Sequence, residues 1–211
     1  MKGIRFPLME EKDFAHAVLD SNILNQEETH DLMKYFNSNS VLKTPVGFSR
    51  AKRDGKLKIF CRFRTVTNGW NYFPDSSNSL CLTADRDIKL HAVRFFGSEN
   101  NKYSVSLAVK NGGDVLFLTE KEAFISEVVQ SQIGDYQGFA VVMEPPILLE
   151  ANAVYFFIAK IAGPLSLYGQ GCLSRREHSG VRFVFRNVHN SSTLIEKGQF
   201  SEFIFSLVPE S

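Results

Sequence analysis

Two hydrophobic periods divide this chain. Before residue 38 the apolar positions recur at helical spacing, with Phe14, Ala17 and Val18 marking one stretch and Leu32, Met33, Tyr35 and Phe36 another. Asn25 stands where an N-cap is needed, and Glu28, three residues on, is placed to reach back to the cap's amide. The pattern predicts a short helical hairpin over residues 14–36. Two short helices cannot bury an apolar side on each other alone, so that side needs a further partner.

From residue 57 onward the period is two. Tyr103, Val105, Leu107 and Val109 alternate with smaller or polar neighbours, as do Val181, Phe183 and Phe185, and then Phe203, Phe205 and Leu207. Each reads as a half-buried strand. Turn signals fall between the runs: NGGD at 111–114, GDYQG at 134–138, EPP at 144–146, AGP at 162–164 and HNSS at 189–192. The apolar segment 147–165 contains Glu150, Asn152 and Lys160, so it reads as two buried strands and not as a membrane span. Short strands without a helix after Phe36 predict a mainly β fold, an antiparallel β-sandwich preceded by the helical hairpin.

Composition adds little to this picture except through phenylalanine. The 211 residues include 19 Phe, a strand-favouring side chain that buries a large apolar area. Net charge is +1, so the chain as a whole has no field that would hold nucleic acid or an anionic membrane. The eight Lys and Arg between Lys43 and Arg64 face one acid, Asp54, and read as a solvated linker leading into an edge strand. The three cysteines, Cys61, Cys81 and Cys172, form no C-x-x-C pair, which suits a reducing, cytoplasmic compartment. The N-terminal residues do not have the form of a signal peptide.

Candidate chemistry concentrates in SLYGQGCLSRREHSG, residues 166–180. Its glycines fit neither a phosphate-binding loop nor a dinucleotide fingerprint and read as turn residues. Cys172 as a nucleophile would need a lowered pKa, and Arg175, Arg176 and His178 offer some positive field. This leaves a small cysteine-dependent enzyme as an alternative reading, with a thiolate reactive near neutral pH. Asp85 and Asp87 read as a salt-bridged turn ahead of an acid–base pair. The five histidines lack ligand spacing, so no metal site is expected. Trp70 and Tyr72 share a strand face, and Trp70 reads as a core anchor more than as a contact residue.

The order of these pieces resembles the C-terminal part of BTB–BACK–PHR proteins, cytosolic adaptors with an N-terminal BTB domain. Residues 4–36, opening on IRFPLM, are similar to the last helices of a BACK domain. From Cys61 the chain is similar to a PHR domain: Arg62-Phe63, Trp70-x-Tyr72, Asp75, ADRDI at 84–88, FFGS at 95–98, Tyr103-x-Val105, Pro146, Tyr155, Gly163-Pro164, Tyr168-Gly169 and GQFSEFIFS at 198–206. Ala92 and Arg94 stand where the family usually has glycine, and Phe96 where it has tyrosine.

The resemblance implies BACK-like helices over 1–38, a basic linker and possible first strand over 39–60, and a PHR-like sandwich over 61–208. It implies a non-catalytic protein-interaction module, with no cofactor, like the substrate-recognition part of a cullin ubiquitin-ligase adaptor. In the family the BTB domain holds the cullin, and none precedes the helices in this sequence. The expectation is therefore cullin binding only through an upstream BTB domain, or a truncated competitor that binds the same partners without ligase coupling. Neither nucleic acid nor membrane is expected as a partner. The loop after Tyr168-Gly169 is the expected contact surface, with Tyr168, Arg175, Arg176 and His178 as partner-binding residues.

Overall fold

The structure, a computed structural model, describes residues 24–37 and 56–208. The chain divides into two compact units, residues 1–53 and 54–211. In the first, helix α1 (Gln26–Asn37) begins at a reciprocal capping box. The Glu28 amide donates to Asn25 Oδ1 (2.8 Å) while the Asn25 amide donates to Glu28 Oε2 (3.0 Å). Two amides that the helix leaves orphaned are satisfied in this way. Lys34 in the last turn complements the helix dipole. The first predicted helix and most of the basic linker lie outside the described residues.

The second unit is an antiparallel β-sandwich. One sheet runs in the order β1 (Lys58–Cys61), β14 (Phe200–Leu207), β4 (Ile88–Phe96), β8 (Tyr136–Leu149) and β7 (Glu127–Val129). The other runs β11 (Arg175–His178), β12 (Val181–Asn187), β3 (Asn78–Ala84), β9 (Tyr155–Ala162), β5 (Lys102–Asn111) and β6 (Asp114–Ile125). A small third sheet joins β13 (Lys197–Gly198), β10 (Ser166–Gln170) and β2 (Thr65–Trp70).

The phenylalanines fill the space between the two large sheets. Phe60 of β1 stacks on Phe183 of β12 at 4.7 Å, and Phe157 of β9 meets Phe203 of β14 edge-on at 5.4 Å. Farther along, Tyr103 of β5 and Phe95 of β4 both stack on Phe139 of β8, at 5.2 and 5.7 Å. Offset and edge-on pairs of this kind add to what area burial alone supplies.

The period-two reading holds for β5 and β12, whose Tyr103, Val105, Leu107, Val109, Val181, Phe183 and Phe185 are all buried. It is incomplete for β14. Phe203 and Phe205 are buried, but so are Ser201, Glu202 and Ser206 between and around them, while Leu207 is only half-buried. β14 is central in its sheet, and its polar side chains are satisfied by neighbours. Glu202 takes Arg94 Nη1 (2.6 Å) and the Ser131 hydroxyl (2.5 Å), and Ser206 pairs with His91 (2.9 Å).

Two expected turns also change character. Residues 144–146, read as a turn, lie inside β8, with a cis Glu144–Pro145 bond. The β4–β8 register jumps there from Leu90↔Ile147 to Ala92↔Val142, so the prolines, which have no N–H to give, sit in a bulge instead of ending the strand. The signal at 134–138 is shared: Gly134 takes the positive φ, and Tyr136 already opens β8. NGGD at 111–114 is the two-residue hairpin it promises, with Gly112 at φ 56°.

Gly169 of β10 carries a steric requirement that decides how closely the small sheet packs. A Cβ there would lie 2.0 Å from Phe63 Cδ2, whose ring is fully buried. Gly169→Ala is expected to lower stability by about 1–3 kcal/mol. Gly113→Ala, with nothing within 4 Å of the added carbon, should change it by less than about 0.5 kcal/mol. Urea unfolding midpoints of the two variants check this, and equal midpoints would show that the Phe63 ring yields freely.

Candidate interaction surface

The segment 171–180 is more ordered than a connecting loop. Residues 175–178 form β11, the edge strand of the six-stranded sheet, and Ser179 (φ 52°) and Gly180 (φ 78°) make the two-residue turn into β12. Two successive positive φ values match the turn to the twist of the flanking strands. A strand alternates its side chains, and this sorts the predicted contact residues. Arg176 and His178 oppose the buried Phe183 and Val181, whereas Arg175 and Glu177 are exposed opposite Val184 and Arg182.

Arg176 is a brace. Its Nη1 donates to the carbonyls of Cys61 (3.1 Å) and Arg62 (2.9 Å), and its guanidinium lies 5.4 Å from the Phe60 ring centre. These bonds tie edge strand β11 to edge strand β1 across the open side of the sandwich. His178 packs on Phe60 and Phe205, at 5.7 and 6.3 Å between rings. Burial, then the charges of Arg176 and Lys58, hold it below the usual histidine range. Tyr168 belongs to the small sheet, where its ring lies 5.3 Å from that of Trp70 and its hydroxyl accepts from Gln170 Nε2 (3.2 Å). Trp70 itself is only 8% exposed, as a core anchor should be. Of the four predicted residues, Arg175 is the one exposed to solvent.

The thiols are placed for packing. Cys61, Cys81 and Cys172 are unpaired and buried, and burial raises the pKa of each. Arg62 beside Cys172 works against this without overcoming it. A thiol held protonated in this way is a poor nucleophile, so the geometry gives the cysteine-enzyme reading no support. Asp85 and Asp87 do lie at a turn, but each carboxylate accepts a main-chain amide, from Arg182 (2.7 Å) and Ala151 (2.7 Å). Among the described residues no three His, Cys, Asp or Glu side chains gather to hold a metal ion.

Two features were not singled out from the sequence. The first is the burial of Arg62, a residue matched above only as part of a family motif: it is 0% exposed. Its Nη2 donates to the carbonyls of Leu194 and of Ile195 (3.1 Å), its Nη1 reaches that of Phe200 (3.4 Å), and its guanidinium lies 4.2 Å from the Phe63 ring centre. Burial lowers its pKa to about 10, which still leaves it charged at neutral pH.

The second is a charged face. Outward positions of β11, β12, β9 and β5 carry Arg175, Arg182, Arg186, Lys160, Lys102 and Lys110, against the acid Glu177, while edge strand β6 adds Lys121 between the exposed Glu120 and Glu122. The near-zero net charge of the chain conceals this local excess, whose field favours an acidic partner.

Known proteins place the chain in context. The sequence profile of the PHR domain matches residues 61–206. BTB/POZ domain-containing protein 6 of Homo sapiens is 29% identical over 211 residues, covering 96% of this chain and 37% of that protein. BTB/POZ domain-containing protein 6-B of Danio rerio is 28% identical, covering 96% of this chain and 42% of that protein. BTB/POZ domain-containing protein 3 of Mus musculus is 26% identical, covering 96% and 38%. The chain thus spans about two fifths of the length of these curated relatives.

The two neighbouring arginines should separate cleanly. Arg176→Ala frees two main-chain carbonyls and should cost about 1–3 kcal/mol of stability, whereas Arg175→Ala should cost less than about 0.5 kcal/mol. Chemical denaturation of both variants measures the difference, and equal losses would refute the division into brace and contact. His178 generates a pH dependence. Its folded pKa lies below its unfolded value near 6.5, so the unfolded state binds more protons in that window and stability falls as pH drops through it. Unfolding midpoints between pH 7.5 and 5 should decline less in His178→Phe than in the parent; an identical decline would assign the effect elsewhere.

Proposed function

The chain belongs to the PHR domain family, and we propose that it is a partner-recognition module of a BTB-type ubiquitin-ligase adaptor, working in the cytoplasm without chemistry of its own. The observation that carries this reading is the basic outward face of the six-stranded sheet, displayed on a sandwich whose inward side chains are committed to packing. Arg175 is exposed on edge strand β11, and Arg182 and Arg186 on its neighbour β12, so a partner can approach these side chains beside a free strand edge. Recognition by such a face is selective through charge and register, and it needs no cofactor.

Ligase coupling, in this proposal, is supplied by a BTB domain on the same adaptor, which holds the cullin while the sandwich holds the substrate. What supports the presence of such a domain on the adaptor is that the relatives are named BTB/POZ domain-containing proteins. No helix among the described residues is long and apolar enough to cross a membrane. The three thiols, all unpaired, suit a reducing compartment.

Affinity capture of the tagged protein from cells, repeated with Arg175→Glu and Arg182→Glu together, tests the reading. The expected result is a partner set in which the charge-reversed protein, folded as judged by its unfolding midpoint, loses at least tenfold of at least one partner. Co-capture of a cullin assigns the ligase role, and partners without a cullin assign the competitor role. A partner set unaffected by the reversal would remove the basic face from recognition.

A further inference from the structure

The end of this face away from β11 is hollowed. Ser104 and Ser106 of β5, Ala162 of β9 and Gly163 line a groove of about 330 Å³, which is bounded by Tyr72, Phe73 and Pro74 on one side and by Lys121 and Lys160. Strand register explains the hollow. Ser106 pairs with Lys160 across β5 and β9, and the bulged Lys121 of β6 (φ 50°) gives its amide to Ser106 Oγ at 2.9 Å. Three adjacent strands therefore carry Lys–Ser–Lys in one row. The next row, Ala162–Ser104–Ala123, has only small side chains. Adjacent strands lie about 4.8 Å apart, so the two lysine backbones are separated by about 10 Å and both ammonium groups can reach a point above Ser106.

The groups around that point are donors. Ser106 Oγ already accepts the Lys121 amide, which leaves its own hydrogen to give. Ser104 adds a second hydroxyl. No carboxylate lines the groove. Asp75, next to Pro74, and Glu120, which shares the bulge with Lys121, are exposed outside the lining, and Glu122, on the other side of Lys121, accepts the Thr119 hydroxyl at 2.8 Å. At the rim Phe73 is 64% exposed, an apolar surface beside a cationic floor.

We infer that this groove binds an extended segment of a partner protein through a phosphorylated serine or threonine, with an apolar residue of the segment against Phe73. Two ammonium groups and two hydroxyls match a dianion with three acceptor oxygens, whose second negative charge answers both ammonium groups where a carboxylate answers one. The basic outward face supplies long-range attraction for the same ligand. The inference rests on the reading of the domain as a protein-binding module and names a ligand chemistry for it; it does not depend on Arg175.

The test uses the full chain and three oriented peptide libraries with phosphoserine, serine or aspartate fixed at the centre. Retention of phosphoserine peptides with an apolar residue near the phosphate is expected, together with at least tenfold weaker binding of one selected peptide to Lys121→Glu/Lys160→Glu. Ser104→Asp, which places a carboxylate in the floor, should weaken it similarly, and urea midpoints equal to the parent's certify that the variants fold. Equal retention of serine and phosphoserine libraries, equal retention of aspartate peptides, or phosphopeptide binding untouched in the folded variants would each overturn the inference. Loss of this binding with capture through Arg175 and Arg182 intact removes the groove alone; phosphopeptide binding without any cellular partner removes the adaptor reading.

Discussion

The sandwich is closed around a buried cation. Arg62 carries its charge into a site with no exposure and meets carbonyl oxygens in place of a carboxylate, those of Leu194, Ile195 and Phe200. A buried charge is costly unless its donors are answered, and here both terminal nitrogens are answered from the segment before β13 and from the start of β14, while Nε is left without a partner. The same residue's main chain completes the junction, since its amide donates to Ser201 O (2.9 Å) and its carbonyl takes Arg176. The chain around Arg62 thus joins both large sheets to the segment that leads into the small one.

That junction decides which surfaces are free. Because Arg176 and His178 face inward to close the side between β1 and β11, the recognition role proposed for this strand passes to the outward residues, Arg175 foremost. Outward cations recur on β12, β9 and β5, with the uncharged β3 between β12 and β9, and extend to the Lys121–Lys160 groove. A rigid frame with a charged outer layer fits a module whose affinity comes from complementarity of charge and shape, and whose sandwich interior is given over to packing.

Much of the frame was legible in the sequence because local rules and tertiary demands agree. The capping box at Asn25 and Glu28, the alternation in β5 and β12, and the NGGD hairpin each follow from a few neighbouring residues. Legibility failed where distant partners decide. Glu202 and Ser206 look solvent-facing in sequence, yet Arg94 and His91 from β4 satisfy them in a central strand. Residues 144–146 look like a turn, yet β8 runs through them as a bulge. Arg62 could be matched to a family position, but arginine is seldom fully buried, and its acceptors lie more than 130 residues away. The basic face was hidden for a related reason: its cations are spread from residue 102 to residue 186 and are averaged away in a net charge of +1.

The central claim is that recognition occurs on the outward face of the six-stranded sheet. Amide hydrogen exchange of the protein alone and saturated with a captured partner tests it most directly. Slowed exchange concentrated in β11, β12 and the groove strands β5, β6 and β9 is the predicted result. Slowed exchange confined to β1, β4, β7, β8 and β14 would contradict the account and move the binding surface to the opposite sheet.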